Sequence, residues 1–199
     1  MRWDERYSTP DYLFGTEPNA FLASQADLLV PGQSALAVAD GEGRNGVWLA
    51  SKGLTVTAFD ASAVGLDKAK RLAAEKGVNV DYRLAAIEDW TWTENRFDVV
   101  VAIFIQFASP ELREKIFAGI KQCLKQGGLL LLQGYTPKQL EYGTGGPPTG
   151  ENLYTRRLLE DAFAGFEIMR LEEYDSVIRE GSGHSGMSAL IDLVARRRS

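Results

Sequence analysis

The chain holds one cysteine and one histidine in 199 residues. Cys123 alone excludes a disulfide framework and a thiolate metal cluster, and His184 alone has none of the spacing of an imidazole metal site. No apolar run approaches the roughly eighteen residues of a membrane helix, and the opening MRWDERYSTP lacks a signal-peptide core. Basic charge is scarce as well: 22 Lys and Arg stand against 27 Asp and Glu, a net charge of −5. A nucleic acid partner needs a basic face, so it is not expected, and Arg196-Arg197-Arg198 reads as a solvated chain end. What is left is the ordinary globular mixture, 45% hydrophobic and 25% charged. The expectation is one cytoplasmic domain, with no membrane or metal partner, acting on a small molecule.

The informative stretch is 34–62, SALAVADGEGRNGVWLASKGLTVTAFDAS. The short apolar run Ala35–Ala39 suits a buried strand. Gly41-Glu42-Gly43-Arg44-Asn45-Gly46 follows as a glycine-rich turn, and Val47 opens a helix that Gly53 closes. A second strand, Leu54–Phe59, ends on Asp60, nineteen residues after Gly41. Strand, glycine turn, helix, strand and terminal acid form one half of a nucleotide-binding α/β unit. Glycine permits tight turning and close approach of backbone to a ligand, and the acid can accept both hydroxyls of a ribose.

Around this core the chain reads in sequence. Residues 1–19 are rich in aromatics and turn formers and form a flap, followed by a helix over 20–29. Ser62 caps a helix to about Lys76 with an apolar face of Leu66, Ala69, Leu72 and Ala73. A third strand covers 78–84, and the loop 85–90 follows. The fourth strand, Val99–Phe104, is apolar enough to be central. Ser109-Pro110 starts a helix whose stripe includes Ile116, Ile120 and Cys123, so Cys123 reads as core. A fifth strand spans 129–133. The glycine- and proline-rich run 135–152 is an irregular loop over the site, and a short helix lies near 155–163. Strands over 166–178 and 188–195, around a Gly-Ser-rich turn at 179–187, close the chain.

Taken together, GEGRNGVWLA, VTAFDAS, RFDVVVAIF, QGGLLLLQG and GTGGPP with the closing hairpin resemble a class I S-adenosylmethionine-dependent methyltransferase. WDERY, GTEPN and YGTGGPP are similar to the small bacterial branch that includes the tellurite-resistance methyltransferases. The resemblance covers essentially the whole chain. It implies an α/β, single-domain Rossmann-like fold over 1–199, a mostly parallel seven-stranded sheet with a C-terminal antiparallel hairpin and helices on both faces. The cofactor it implies is S-adenosyl-L-methionine, and the reaction is methyl transfer.

The same resemblance implies where the site lies. The turn with Ala39, Asp40, Gly41, Gly43 and Asn45 lies against the methionine part of the cofactor. Asp60 holds the ribose, Ala61 and Ser62 sit beside the adenine, and Ala86 and Ile87 flank its other side. Ile103 and Gln106 end the fourth strand near the sulfonium, and Trp3, Tyr7, Gly15 and Thr16 close from the N-terminal side. Three positions depart from the family pattern. The acid usual two residues before the first glycine is Ala39 here, with Asp40 next to it. Ala86 replaces an acid that often receives the adenine amine, leaving Glu88, Asp89 or a backbone carbonyl. Gln106 stands where histidine is frequent.

Methyl transfer from a sulfonium is an in-line displacement with an activated donor, so alignment matters more than any catalytic pair. Trp3, Tyr7, Phe104 or Phe107 can face the cation, although packing is the favoured reading of each one taken singly. His184, flanked by glycines in EGSGHSG, is either a solvated loop residue or an acceptor ligand or general base. Tyr142 in the long loop is a second acceptor-side candidate. Two other readings stand beside this one. GEGRNG is a literal GxGxxG, which suits an NAD-dependent oxidoreductase, but neither a substrate domain nor hydride-transfer residues accompany it. A non-catalytic binding protein on the same fold would explain Ala37, Ala39 and Ala86. The methyl acceptor and the oligomeric state stay open.

Overall fold

Parallel strands need crossovers, and the chain supplies them as short helices capped by side chains. The computed structural model describes residues 3–199. They divide into two compact units, one comprising residues up to Thr91 with Glu180–Gly183, the other Trp92–Arg179 with His184–Ser199.

The first unit runs α1 (Trp3–Tyr7), α2 (Ala20–Ser24), β1 (Ser34–Val38), α3 (Arg44–Ser51), β2 (Thr55–Asp60), α4 (Ala63–Glu75) and β3 (Asp81–Leu84). β1 pairs with β2 in parallel from Ser34 opposite Thr55 to Val38 opposite Phe59, and β3 joins β2 in parallel from Asp81 opposite Thr57. β1 is buried beyond Ser34 and β2 beyond Thr55, as strands covered on both faces must be. Asn19 caps α2, accepting from Leu22 N, and Ser62 caps α4, accepting from Gly65 N. The apolar face of α4 is buried as its spacing predicts, but Lys68 is buried with it.

The second unit runs β4 (Phe97–Ile103), α5 (Pro110–Cys123), β5 (Leu124–Tyr135), α6 (Gln139–Tyr142), α7 (Arg156–Ala162), β6 (Phe166–Glu180) and β7 (His184–Arg197). β4 and β5 are parallel, from Val99 opposite Leu129 to Ile103 opposite Gln133. β7 runs antiparallel to β5, from Leu129 opposite Arg196 to Tyr135 opposite Leu190. Ser109 caps α5 with proline in the first turn, and Cys123 is fully buried. The fold is a seven-stranded mixed sheet of order β3-β2-β1-β4-β5-β7-β6, with helical crossovers.

Several boundaries differ from the sequence reading. The helix expected over 20–29 is α2 followed by a 3₁₀ turn at Ala26–Leu28. β3 is only four residues long, because Val78 N bonds to Ala73 O and extends the end of α4 instead of joining the sheet. β5 begins at Leu124, directly after α5, and pairs with Phe97 across a register shift. The irregular run 135–152 contains α6 and a 3₁₀ turn at Gly150–Asn152. The hairpin strands are longer than expected and leave only residues 181–183 as the turn, so His184 opens β7.

Candidate functional site

In the first unit the functional geometry gathers at the C-terminal ends of β1 and β2. Ala39 takes a left-handed conformation (φ 49°), uncommon for a residue with a side chain. That turn directs Asp40 to the first turn of α3, where its carboxylate accepts from Gly46 N at 3.1 and 3.2 Å. Burial pushes the Asp40 carboxyl up to about 7. The displaced acid therefore serves a helix N-terminus. Asp60 is buried at the tip of β2, with Oδ2 accepting from Gly41 N (2.9 Å) and Oδ1 from Ser62 N (2.8 Å). Burial raises this carboxyl as well, against the lowering effect of those amides. The Ala61 amide acts on the same carboxylate, whose four lone-pair sites leave room for a further donor.

Gly41 has φ +59°, and a Cβ there would lie 2.6 Å from the Tyr7 hydroxyl. Only glycine fits this turn. Tyr7 is buried and stacks on Trp3 (centroids 5.5 Å), while Phe14 meets it edge-on at 6.4 Å. The N-terminal segment was expected to be held by its rings, yet polar groups hold it too. Lys68 Nζ donates to Asp11 O and to Glu42 Oε1, both at 2.7 Å, and Glu42 Oε2 accepts from Leu13 N at 2.8 Å. Asp4 accepts from the Ser62 hydroxyl at 2.6 Å. Gly15 lies near Gly181, Thr16 is half-buried, and the Asn45 side chain accepts from Asn19 N. Ala61 is exposed beside Asp60, Ala86 is half-buried and Ile87 buried, while Glu88 and Asp89 are exposed. Trp90 stacks on Phe59 at 4.1 Å and 8°.

Sequence reasoning passed over Arg44, although it stands inside GEGRN. Its Nη2 donates to Glu180 Oε2 at 2.7 Å. Arg44 Nη1 and Trp90 Nε1 are buried without a hydrogen-bond partner among the described residues.

In the second unit the end of β4 and the start of β7 bring three rings together. Phe104, left-handed at φ 53°, stacks on Tyr135 at 4.6 Å and on His184 at 4.4 Å. The Tyr135 hydroxyl and His184 Nδ1 are 2.5 Å apart. His184 is 8% exposed, so the solvated-loop reading is corrected: the hairpin strands run on into the expected turn, and His184 is the first residue of β7. Tyr135 itself had no motif to mark it; only its place at the end of β5 could have done so. Gly146 (φ +84°) packs against the Tyr135 ring, where a Cβ would lie 2.8 Å from Cδ2. This contact explains Gly146 of YGTGGPP, while Gly143 is the left-handed cap that ends α6.

The remaining expected residues are placed elsewhere. Gln106 makes all three of its hydrogen bonds to main chain: Nε2 donates to Tyr135 O (2.9 Å) and Asn152 O (3.2 Å), and Oε1 accepts from Tyr135 N (2.6 Å). It is a clamp on Tyr135. Tyr142 donates to Asp175 at 2.8 Å beside the Lys138–Asp175 ion pair. Ile103, half-buried, ends β4 opposite Gln133. Among the described residues no group of three or more metal-ligating side chains occurs, and no helix is long and apolar enough to cross a membrane.

Residues 35–128 match the methyltransferase domain family. That match takes in just under half of the chain, with the glycine turn, the acid ending β2 and strands β1 (from Ala35) to β4 inside it. An uncharacterized methyltransferase from Synechocystis sp. is 33% identical over 106 residues, 51% of this chain and 47% of that protein. A ubiquinone biosynthesis O-methyltransferase from Pasteurella multocida is 29% identical, over 56% of this chain and 49% of its own length. The chain thus spans about half the length of the curated relatives it matches. Two solved structures share the fold. One is a SAM-dependent methyltransferase from Methanosarcina mazei, with TM-score 0.73 and 18% identity, covering 92% of this chain and 99% of that one. The other is TehB from Haemophilus influenzae, with TM-score 0.74 and 16% identity, covering 98% of this chain and 66% of that one.

Proposed function

We propose that this protein transfers a methyl group from S-adenosyl-L-methionine to a small molecule whose accepting atom must shed a proton. The observation that carries the reading is the pairing of the chain's one histidine, buried, with the Tyr135 hydroxyl. An imidazole held by a ring stack and a hydrogen bond has a defined orientation, which a general base needs. For His184 to accept a proton at Nε2, Nδ1–H must donate to the Tyr135 oxygen, and that is the tautomer we assign. Gln106 positions Tyr135 through its main chain.

The residues of the first unit suit the cofactor. Asp60 has acceptor capacity for the ribose diol, and the glycine at 41 allows a ligand to approach main chain. Ala61, Ser62, Ala86 and Ile87 are assigned to the adenine, and Trp3, Tyr7, Gly15 and Thr16 to closure. When bound, the cofactor supplies a methyl group already activated on a sulfonium, so the protein's work is alignment and proton removal. The acidic composition supports a small acceptor and a cytoplasmic setting over nucleic acid. The whole of residues 1–199 is assigned to this one catalytic domain.

Calorimetric titration with S-adenosylmethionine, S-adenosylhomocysteine and NAD tests the cofactor assignment. Micromolar affinity for the first two and none for NAD is expected. Binding of NAD alone would replace this reading with an oxidoreductase. Cofactor binding without turnover of any acceptor, in wild type and His184→Ala alike, would favour a non-catalytic protein.

A further inference from the structure

We infer that Glu180 and the glycine turn after it are positioning residues for His184: by seating the turn on the N-terminal segment, they fix the main chain one residue before the imidazole. The inference rests on the base reading above and adds the residues that hold the base in place.

Two motifs meet here, GTEPN at 15–19 and EGSGH at 180–184. Residues 180–183 pack as part of the first unit, to which the N-terminal segment also belongs. Gly183 N donates to Leu13 O at 2.9 Å. Gly181 is left-handed (φ +65°), and a Cβ on it would collide with Leu13 O and lie 2.6 Å from Gly15 N. A Cβ on Gly183 would collide with the Phe14 ring. The turn can rest main chain on main chain only because both residues are glycine.

Glu180 is the second fastening. Its Oε2 accepts from Arg44 Nη2 at 2.7 Å, and its Oε1 accepts from Asn19 Nδ2 at 3.0 Å and from Ala20 N at 3.1 Å. Three donors on one almost buried carboxylate, one of them a cation, hold the residue that opens the turn. The segment they belong to is fixed in its own right, since Lys68 Nζ donates to Asp11 O and Glu42 Oε2 accepts from Leu13 N.

His184 follows Gly183 directly in the chain, and its ring stacks on Phe104 and bonds to the Tyr135 hydroxyl. The imidazole is therefore constrained twice, through its ring and through the main chain that leads into it. A general base needs both, because a shift of about 1 Å at a reacting group can cost on the order of 100-fold in rate.

The test uses the chain's one histidine, whose imidazole C2–H gives a single proton resonance in NMR, displaced by the ring currents of Phe104 and Tyr135. Gly181→Ala drives a methyl group into the main chain of Leu13, and because that segment is pinned the turn must move. Glu180→Gln removes the charge that holds Arg44, while its amide oxygen can still accept from Asn19 and Ala20. Ser182→Ala alters an exposed side chain of the same turn and is the control. In Gly181→Ala the resonance should move towards that of a free imidazole, and kcat should fall about 10- to 100-fold with a shifted pH profile. Affinity for S-adenosylhomocysteine, read by calorimetry, should change less than about threefold. Glu180→Gln should show the same displacement in smaller degree, and Ser182→Ala should match the wild type. A wild-type resonance and pH profile in folded Gly181→Ala and Glu180→Gln would overturn the assignment. So would equal losses of kcat and cofactor affinity, the mark of a general disturbance of the N-terminal segment. The resonance reports the place of the ring whether or not the imidazole is a base, so failure of the base reading shows separately, as full turnover by His184→Ala.

Discussion

Glu42 and Lys68 meet at 2.7 Å with both side chains almost wholly buried. The first is the middle residue of the glycine turn, and the second lies on the buried face of α4. Through Leu13 N and Asp11 O the same pair fastens the N-terminal segment to that turn. Lys68→Met leaves a buried carboxylate unmatched and should cost about 3–5 kcal/mol in urea unfolding. Adding Glu42→Gln should restore much of that loss. In the single variant, proteolysis around residues 9–14 should accelerate well before global unfolding.

Asp60 bears on both binding and stability. Asp60→Ala should weaken S-adenosylhomocysteine and 5′-methylthioadenosine alike, by about 10- to 100-fold, since both carry the ribose. It also strands Gly41 N and Ser62 N, so the melting temperature should fall, by about 1–3 kcal/mol of stability. Unequal losses for the two ligands in calorimetry would remove Asp60 from the ribose.

The Asp40 carboxyl titrates near 7 in the fold and near 3.8 in an exposed reference group. The folded state therefore binds this proton more tightly, and stability declines as pH rises from about 4 towards 7. Asp40→Asn removes the titration while its amide oxygen can still accept from Gly46 N. The variant should gain on the order of 1–3 kcal/mol relative to wild type at pH 8, and much less at pH 5. Thermal melts of the two proteins at both pH values decide the point; a pH-independent difference would show that Asp40 stays ionised.

His184→Ala should lower turnover by about 100-fold or more with cofactor affinity little changed. Tyr135→Phe keeps the ring stack and removes only the hydroxyl. A smaller loss in kcat, about tenfold, with a shifted pH profile is expected if the hydroxyl orients the imidazole. Stopped-time assays of S-adenosylhomocysteine release, run across pH, separate this from a packing defect, which would leave the profile in place.

The alternation of short strands and helices, the glycine turn and the acid at Asp60 were all legible in the chain, because each depends on local periodicity and turn chemistry. So was the burial of Cys123, which its place on an apolar stripe requires. Boundaries set by pairing were less legible. β3 shortened because its first residues bond to the end of α4, and β5 lengthened because Leu124 found Phe97.

The candidate site divides along the same line. Asp60 and Gly41 could be named from spacing, since nineteen residues of strand, turn and helix fix one against the other. Gln106 was expected at the reacting centre, yet its amide clamps the main chain of Tyr135, a use that no linear motif announces. Sequence by itself determined the class of fold and the glycine turn set against Asp60 that one βαβ unit builds, because those contacts are short in sequence. Only the tertiary structure decided that Tyr135 meets His184, that Arg44 is gripped by Glu180, and that Lys68 is buried against Glu42. These pairs are 49, 136 and 26 residues apart, and only the packed chain brings their polar atoms into reach.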